Sequence, residues 1–301
     1  MYTIKEAAVR AGVSIPLLRA WERRYGIVRP VRTPAGYRLY DEPAIGRIRA
    51  MRRLIDDGWS ASQAASQIEI GGIPVEAVVS AAAPDATGLA GAGGDPDLVT
   101  AFVDAAAALD EHRLEALLDD LFAGTSSFER VVDDRLMPAL RALGEAWADG
   151  TLSVSAEHAA SYAVIRRLSA AFEAAGSAAR DRPVLVGLPP GSRHEIGSLA
   201  FATAARRRGM GVVYLGADVP RDSWIEAVRT TKARAIVIGI PTGPDRAPAE
   251  AIAREAVTLG DGLLVAVGGR ASAEADVPAQ VLRLPDAIGA SAEAFEAALR
   301  A

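Results

Sequence analysis

A multidomain chain, α and α/β, is what the sequence predicts: a winged helix-turn-helix head, a four-helix bundle and a doubly wound parallel-sheet domain. Three observations predict it. Helical periodicity with turn and cap residues occupies the first part of the chain; a second helical stretch contains one proline, Pro138; and beyond Arg182 short apolar runs alternate with helical patterns. At 301 residues, 50 % hydrophobic and 24 % charged, the chain can bury two or three separate cores.

In the head, residues 4–11 read as a short helix and Gly12 as the turn after it. Ser14 reads as the N-cap of a second helix through Leu17, Leu18, Trp21 and Tyr25. Arg32 to Leu39 place Pro34, Ala35 and Gly36 between residues suited to strands, the pattern of a hairpin or wing. Asp41 then caps a helix through Ile45, Ile48, Met51 and Leu54, and a shorter helix follows Trp59. The head is expected over 1–68, followed at 69–97 by a flexible linker rich in Gly, Ala and Pro, with Gly88, Gly91, Gly93, Gly94 and Pro96 near its end.

Apolar residues at helical spacing over 98–108, 114–122, 128–148 and 157–174 predict a four-helix bundle spanning 98–176. Apolar runs at 184–188, 212–215, 235–240 and 263–267, with a fifth at 281–284, alternate with helical patterns at 195–208, 221–231, 247–259 and 291–300. That alternation predicts a Rossmann-like domain over 182–301, whose ligands bind at the carboxyl ends of the strands. His194 falls a few residues beyond the first strand.

The absence of cysteine excludes disulfides, thiolate metal sites and Cys nucleophiles, and leaves His112, His158 and His194 as the imidazoles. No apolar run approaches the roughly 20 residues of a spanning helix, and no basic segment followed by an apolar stretch opens the chain, so a cytoplasmic protein without a membrane partner is expected. The formal charge of −5 conceals an asymmetry: residues 1–60 hold 12 Lys and Arg against 6 Asp and Glu, and the remainder 21 against 32. A basic head on an acidic body suits a reader of double-stranded DNA with a separate sensor, because phosphate neutralisation needs local positive charge.

Gly12-Val13-Ser14, Leu18-Arg19-Ala20-Trp21-Glu22, Gly26 and Gly36-Tyr37-Arg38-Leu39-Tyr40 stand in an order that resembles the MerR family of winged helix-turn-helix regulators. The second helix can then offer Arg19, Arg23 and Arg24 to DNA while Leu18, Trp21 and Tyr25 pack inward. Tyr37 and Arg38 on the wing would touch the sugar-phosphate backbone. The plainer reading of these arginines is a solvated helix face.

A histidine after a strand and before a helix can bind phosphate, act as a base, ligate a metal or simply sit at the surface. Its surroundings, Ser192-Arg193-His194-Glu195-Ile196-Gly197, resemble the Asp-x-His-x-x-Gly element of cobalamin-binding domains, and Gly239-Ile240-Pro241 and Gly268-Gly269 stand where that family has Ser-x-Leu and Gly-Gly. The resemblance implies His194 as the lower axial ligand of cobalt, and a slot for the displaced nucleotide tail lined by Glu195, Ile196, Gly197, Gly239, Pro241, Gly268 and Gly269. Ser192 in place of the motif Asp makes a neutral supporter of His194, and Gly239 in place of the motif Ser removes a hydroxyl.

Trp147, nine residues, and then Glu157-His158 match the W-x9-EH pattern of CarH-type photoreceptors. The plainer reading is a core indole and a helix start. The resemblance, which runs over nearly the whole chain in the same domain order, implies that these side chains cover the upper face of adenosylcobalamin. It also implies a non-enzymatic repressor of carotenoid or other photoprotective genes, a tetramer in the dark that light disperses. Some of these proteins carry a histidine directly after the motif Trp; here that residue is Ala148, which leaves His158 or water for the upper position after photolysis. Two alternatives stay open: a light-independent or cofactor-free MerR-type regulator, and a corrinoid carrier subunit of a methyltransferase. His112, between Glu111 and Arg113, is expected on a solvated helix surface.

Overall fold

The computed structural model describes residues 1–32, 38–56, 64–65, 68, 96–123, 126–176, 182–260 and 262–301. The chain divides into two compact units, Met1–Gly91 with Gly144–Ser153, and Ala92–Leu143 with Val154–Ala301.

The first unit opens with β1 (Tyr2–Thr3) and α1 (Ile4–Ala11), which Thr3 and Glu6 start as a reciprocal capping box. Gly12 ends α1 in the left-handed conformation at φ 69°, and Ser14 Oγ accepts from Leu17 N at 3.3 Å to start α2 (Ile15–Tyr25). Strands β2 (Val31–Arg32) and β3 (Arg38–Tyr40) pair antiparallel, and β1 joins β3. The tip of the expected wing, 33–37, lies outside the described residues. Asp41 Oδ1 accepts from Ala44 N at 2.8 Å beside α3 (Glu42–Asp56). Leu18, Trp21, Tyr40, Ile45, Ile48 and Met51 form the core, with Tyr25 packed at its margin. The linker also lies outside the described residues, except Pro96 and Asp97.

In the second unit those two residues begin α4 (Pro96–Ala107), which is followed by α5 (Glu111–Phe122) and α6 (Phe128–Val131). The single helix expected over 128–148 is interrupted: after α6 a π-helical turn, Val132–Leu136, precedes α7 (Met137–Ala148). Pro138 has no N–H to return to the carbonyl four residues earlier, and Met137 N bonds Val132 O instead, the widened spacing of a π turn. Helix α8 (Val154–Ala174) completes the helical set.

Five parallel strands follow: β4 (Val184–Gly187), β5 (Val212–Gly216), β6 (Ala235–Gly239), β7 (Leu264–Gly268) and the short β8 (Leu282–Arg283), in the order β5-β4-β6-β7-β8. They are linked by α9 (Ile196–Arg207), α10 (Arg221–Thr231) and α11 (Arg246–Ala256), and α12 (Ile288–Arg300) closes the domain. The strands are almost wholly apolar, as a sheet covered on both faces requires. Leu185, Ile236, Ile238, Val265 and Val267 pack with Trp224, Ile225 and Ile252 of α10 and α11. The alternate residues face α9 and α12, which meet through Phe201 and Phe295 with ring centroids 5.7 Å apart.

Two polar clasps tie the helices to the sheet domain within this unit. Asp133, in the π turn, accepts from Ile288 N at 2.7 Å and Gly289 N at 2.9 Å, the free donors at the start of α12. Arg206 donates to Phe172 O at 3.0 Å and Val212 O at 3.2 Å, with its guanidinium 3.4 Å from the Phe172 ring centroid.

Candidate functional site

The loop after β4 carries the residues that the sequence singled out. Leu188 N bonds Gly216 O, and the chain then turns through Gly191 and Ser192 before His194 and the start of α9. Asp218 pins this turn from the β5 loop: its Oδ1 accepts from Gly191 N at 2.7 Å, and its own N–H donates to Ser192 O at 2.9 Å. Asp218 has a φ of 53°, a left-handed backbone that Asp tolerates better than most residues. Sequence reasoning passed over Asp218; the Gly-Ala-Asp-Val-Pro turn directly after an apolar strand was the available signal.

His194 is exposed at the carboxyl edge of the sheet. Ser192 is 1 % exposed, and its Oγ has no hydrogen-bond partner. A buried, unpaired hydroxyl is costly unless a ligand or a shifted side chain satisfies it. The neutral support for His194 expected from Ser192 is therefore not made as a hydrogen bond in this structure. Glu195 accepts from Tyr214 OH at 3.0 Å, and burial first and then the Glu195 carboxylate push the Tyr214 phenol well above its ordinary pKa.

Beside this loop the sheet loses its side chains. Gly239 and Gly268 are register partners at the ends of β6 and β7, and by strand alternation both face α9 and α12. Gly269 follows at a φ of 99°, where a β-carbon would lie 3.0 Å from Ile240 O, so only glycine fits that crossing. Pro241 is half-buried just beyond. Ile196 and Gly197 open α9 next to these glycines' face. His194, Glu195, Ile196, Gly197, Gly239, Pro241, Gly268 and Gly269 thus all belong to one end of one sheet. An exposed imidazole and a buried unsatisfied hydroxyl stand at this end, where a ligand's polar group would satisfy Ser192; Ser198 and Leu188 lie over Gly239, and Leu284 over Gly268. Among the described residues no cluster of three or more His, Cys, Asp or Glu could hold a metal ion by itself.

Glu157 lies in the first turn of α8 and His158 directly after it, with His158 Nδ1 2.6 Å from Glu157 Oε2, while Ser161 Oγ donates to Glu157 Oε1 at 2.7 Å. The His158 side chain is 74 % exposed. Trp147, near the end of α7, belongs to the Gly144–Ser153 segment of the first unit and packs, partly buried, against that unit's hydrophobic cluster. His112 is exposed on α5.

In the head, Arg19 and Arg23 project from α2 into solvent, opposite the buried Leu17, Leu18 and Trp21. The Arg24 side chain and the whole of Tyr37 lie outside the described residues. Arg38, expected at the sugar-phosphate backbone, donates from Nε to Glu22 Oε1 at 2.9 Å in the chain without DNA, while Tyr40 OH donates to Glu22 Oε2 at 2.9 Å. The hydrogen bond to Glu22 raises the Arg38 pKa further, so Arg38 here braces β3 against α2.

A winged helix-turn-helix head joined to a helical region and a parallel-sheet domain is the architecture of a DNA-binding regulator with a separate ligand-binding body. Residues 2–66 match the MerR HTH family regulatory protein model, and residues 98–171 and 182–299 match two models described as B12 binding domain. The chain is 34 % identical over 279 residues, 90 % of its length and 89 % of the relative's, to the HTH-type transcriptional repressor CarH of Myxococcus xanthus. It is 32 % identical over 219 residues to the repressor CarA of the same organism, covering 72 % of this chain and 68 % of CarA. The chain belongs to the CarH family of MerR-type regulators, and is a regulator rather than an enzyme. Its fold is also that of the monomethylamine corrinoid protein of Methanosarcina barkeri, with a TM-score of 0.51, 16 % identity, and coverage of 68 % of this chain and 96 % of that one.

Proposed function

We propose that this protein is a cytoplasmic, light-responsive repressor that holds adenosylcobalamin in the dark, assembles into a homo-oligomer, a tetramer by its resemblance to CarH-type regulators, and binds operator DNA. The observation that carries this reading is the group at the carboxyl edge of the sheet: the exposed His194 imidazole, the orphaned Ser192 hydroxyl, and the side-chain-free pair Gly239 and Gly268. In it, residues 1–68 read DNA, 69–97 link, 98–176 cap the upper face and 182–301 hold the corrin.

His194 would ligate the cobalt, and Glu195, Ile196, Gly197, Gly239, Pro241, Gly268 and Gly269 would wall the tail slot. Trp147, Glu157 and His158 are assigned the upper face, where an indole covers an adenosyl group by apolar contact and the Glu157 carboxylate accepts from its polar edge. When bound, adenosylcobalamin supplies a Co–C bond that visible light breaks. The side chains of the upper face then lose the contacts that favour one arrangement, and the equilibrium moves by as much as those contacts differed. Arg19, Arg23 and Arg24 meet the operator, with Tyr37 and Arg38 at its backbone; Arg38 reaches phosphate by exchanging its Glu22 partner. Several heads acting together hold DNA by avidity, and dispersal weakens binding with every DNA contact intact.

The test is to load the protein with adenosylcobalamin in darkness, desalt it, and record absorption and size-exclusion volume before and after illumination. The cofactor is expected to stay bound in the dark, and both signals to change in the light. Ala148 favours a second reading, a sensor of cobalamin that ignores light, and binding with an unchanged elution volume would select it.

A further inference from the structure

The proposed corrin site leaves one chemical requirement unmet by the side chains already assigned. When an imidazole takes the lower face of cobalt, the displaced benzimidazole of the nucleotide tail regains a ring-nitrogen lone pair. Burying that ring in an apolar slot without a donor would leave an acceptor unsatisfied. Gly239 has no side chain to offer.

Ser198 stands where such a donor is needed. It lies in the first turn of α9, one residue after Gly197 and four after His194. A β-carbon added at Gly239 would collide with Ser198 Oγ and come within 2.9 Å of Leu188 Cδ2. The hydroxyl therefore already occupies the space that a side chain on the strand would fill. It lies against Gly239 at the end of β6, and makes no hydrogen bond among the described residues. Two residues before His194, the buried Ser192 hydroxyl is likewise unpaired, a second polar group in this loop and helix start without a protein partner. A glycine at 239 leaves room for the Ser198 hydroxyl.

We infer that Ser198 supplies the hydroxyl that binds the cofactor's nucleotide tail, delivered from helix α9 rather than from strand β6. This rests on the reading of His194 as the cobalt ligand. It makes positions 198 and 239 a reciprocal pair, in which one hydroxyl is accommodated and two are not.

The test compares cobalamin with cobinamide, the corrinoid that lacks the nucleotide tail, in equilibrium titrations of the full chain followed by absorbance. Ser198→Ala is expected to weaken cobalamin binding roughly five- to tenfold, the effect of one lost hydrogen bond, and to leave cobinamide binding unchanged. Gly239→Ser alone is expected to impair cobalamin binding by steric conflict. Ser198→Gly with Gly239→Ser returns the hydroxyl from the strand and should recover affinity to within about threefold of wild type, which also shows that the variants fold. Wild-type cobalamin affinity in Ser198→Ala, or an equal loss for both corrinoids, overturns the inference while the corrin site stands. A wild-type protein that takes up neither corrinoid overturns the site and the inference together.

Discussion

At single positions, the imidazoles carry different burdens. His194 is exposed at the end of a pinned loop, so His194→Ala removes the proposed ligand without disturbing packing; retention of the cofactor through desalting is expected to fall at least tenfold, with the melting temperature of the unloaded protein moved by less than about 2 °C. His158 has its Nδ1 2.6 Å from Glu157 Oε2, which leaves Nε2 as the nitrogen open to the ligation proposed above. If His158 takes the position left by photolysis, the illuminated protein gives a bis-imidazole absorption spectrum that is lost in His158→Ala; a bis-imidazole spectrum unchanged by that substitution assigns the position to another residue, and a spectrum of any other type assigns it to water. The sequence exposed both histidines through their spacing, and Trp147 through its distance from Glu157. It concealed Asp218 and Ser198, whose importance lies in contacts: Asp218 meets Gly191 across 27 positions, and Ser198 meets a glycine that by itself reads as a simple loss.

Among the elements, the helices and strands were legible nearly to their ends, because periods of 3.6 and of continuous apolar character differ over such lengths. The break in the third bundle helix was not. Pro138 announces a disturbance but does not say whether a kink, a stop or a widened turn results, and the π turn depends on the register of both flanking helices. Nor does the sequence say that Asp133 reaches Ile288, 155 positions away. That carboxylate closes two backbone donors at once, so Asp133→Ala is expected to cost about 1–3 kcal/mol in urea denaturation, and Asp133→Glu, a methylene longer, to recover only part of it. An unchanged midpoint would show that water satisfies the α12 start equally well.

For the whole molecule, the proposed switch acts on how many heads hold DNA together, and salt dependence counts them. Each phosphate neutralised contributes about 0.9 to the slope of log affinity against log salt. Illumination is expected to lower operator affinity at least a hundredfold and to reduce that slope in proportion to the heads released. A fall in affinity at constant slope would mean that light alters the individual head instead. Charge asymmetry made the DNA-binding end legible in the sequence, while the number of heads acting together is a property of an assembly and leaves no mark in the composition.

The widened turn at Val132–Leu136 also sets the angular phase of everything beyond it. One surplus residue in a helix is worth about 100° of rotation, so excising a single residue there would restore plain α geometry and swing Ala139 and Leu143 around the axis of α7 together. Both would leave the core. An irregularity that looks like a flaw in the helix is thus its indexing mark, and a one-residue deletion there should do more damage than any single substitution among the same five positions.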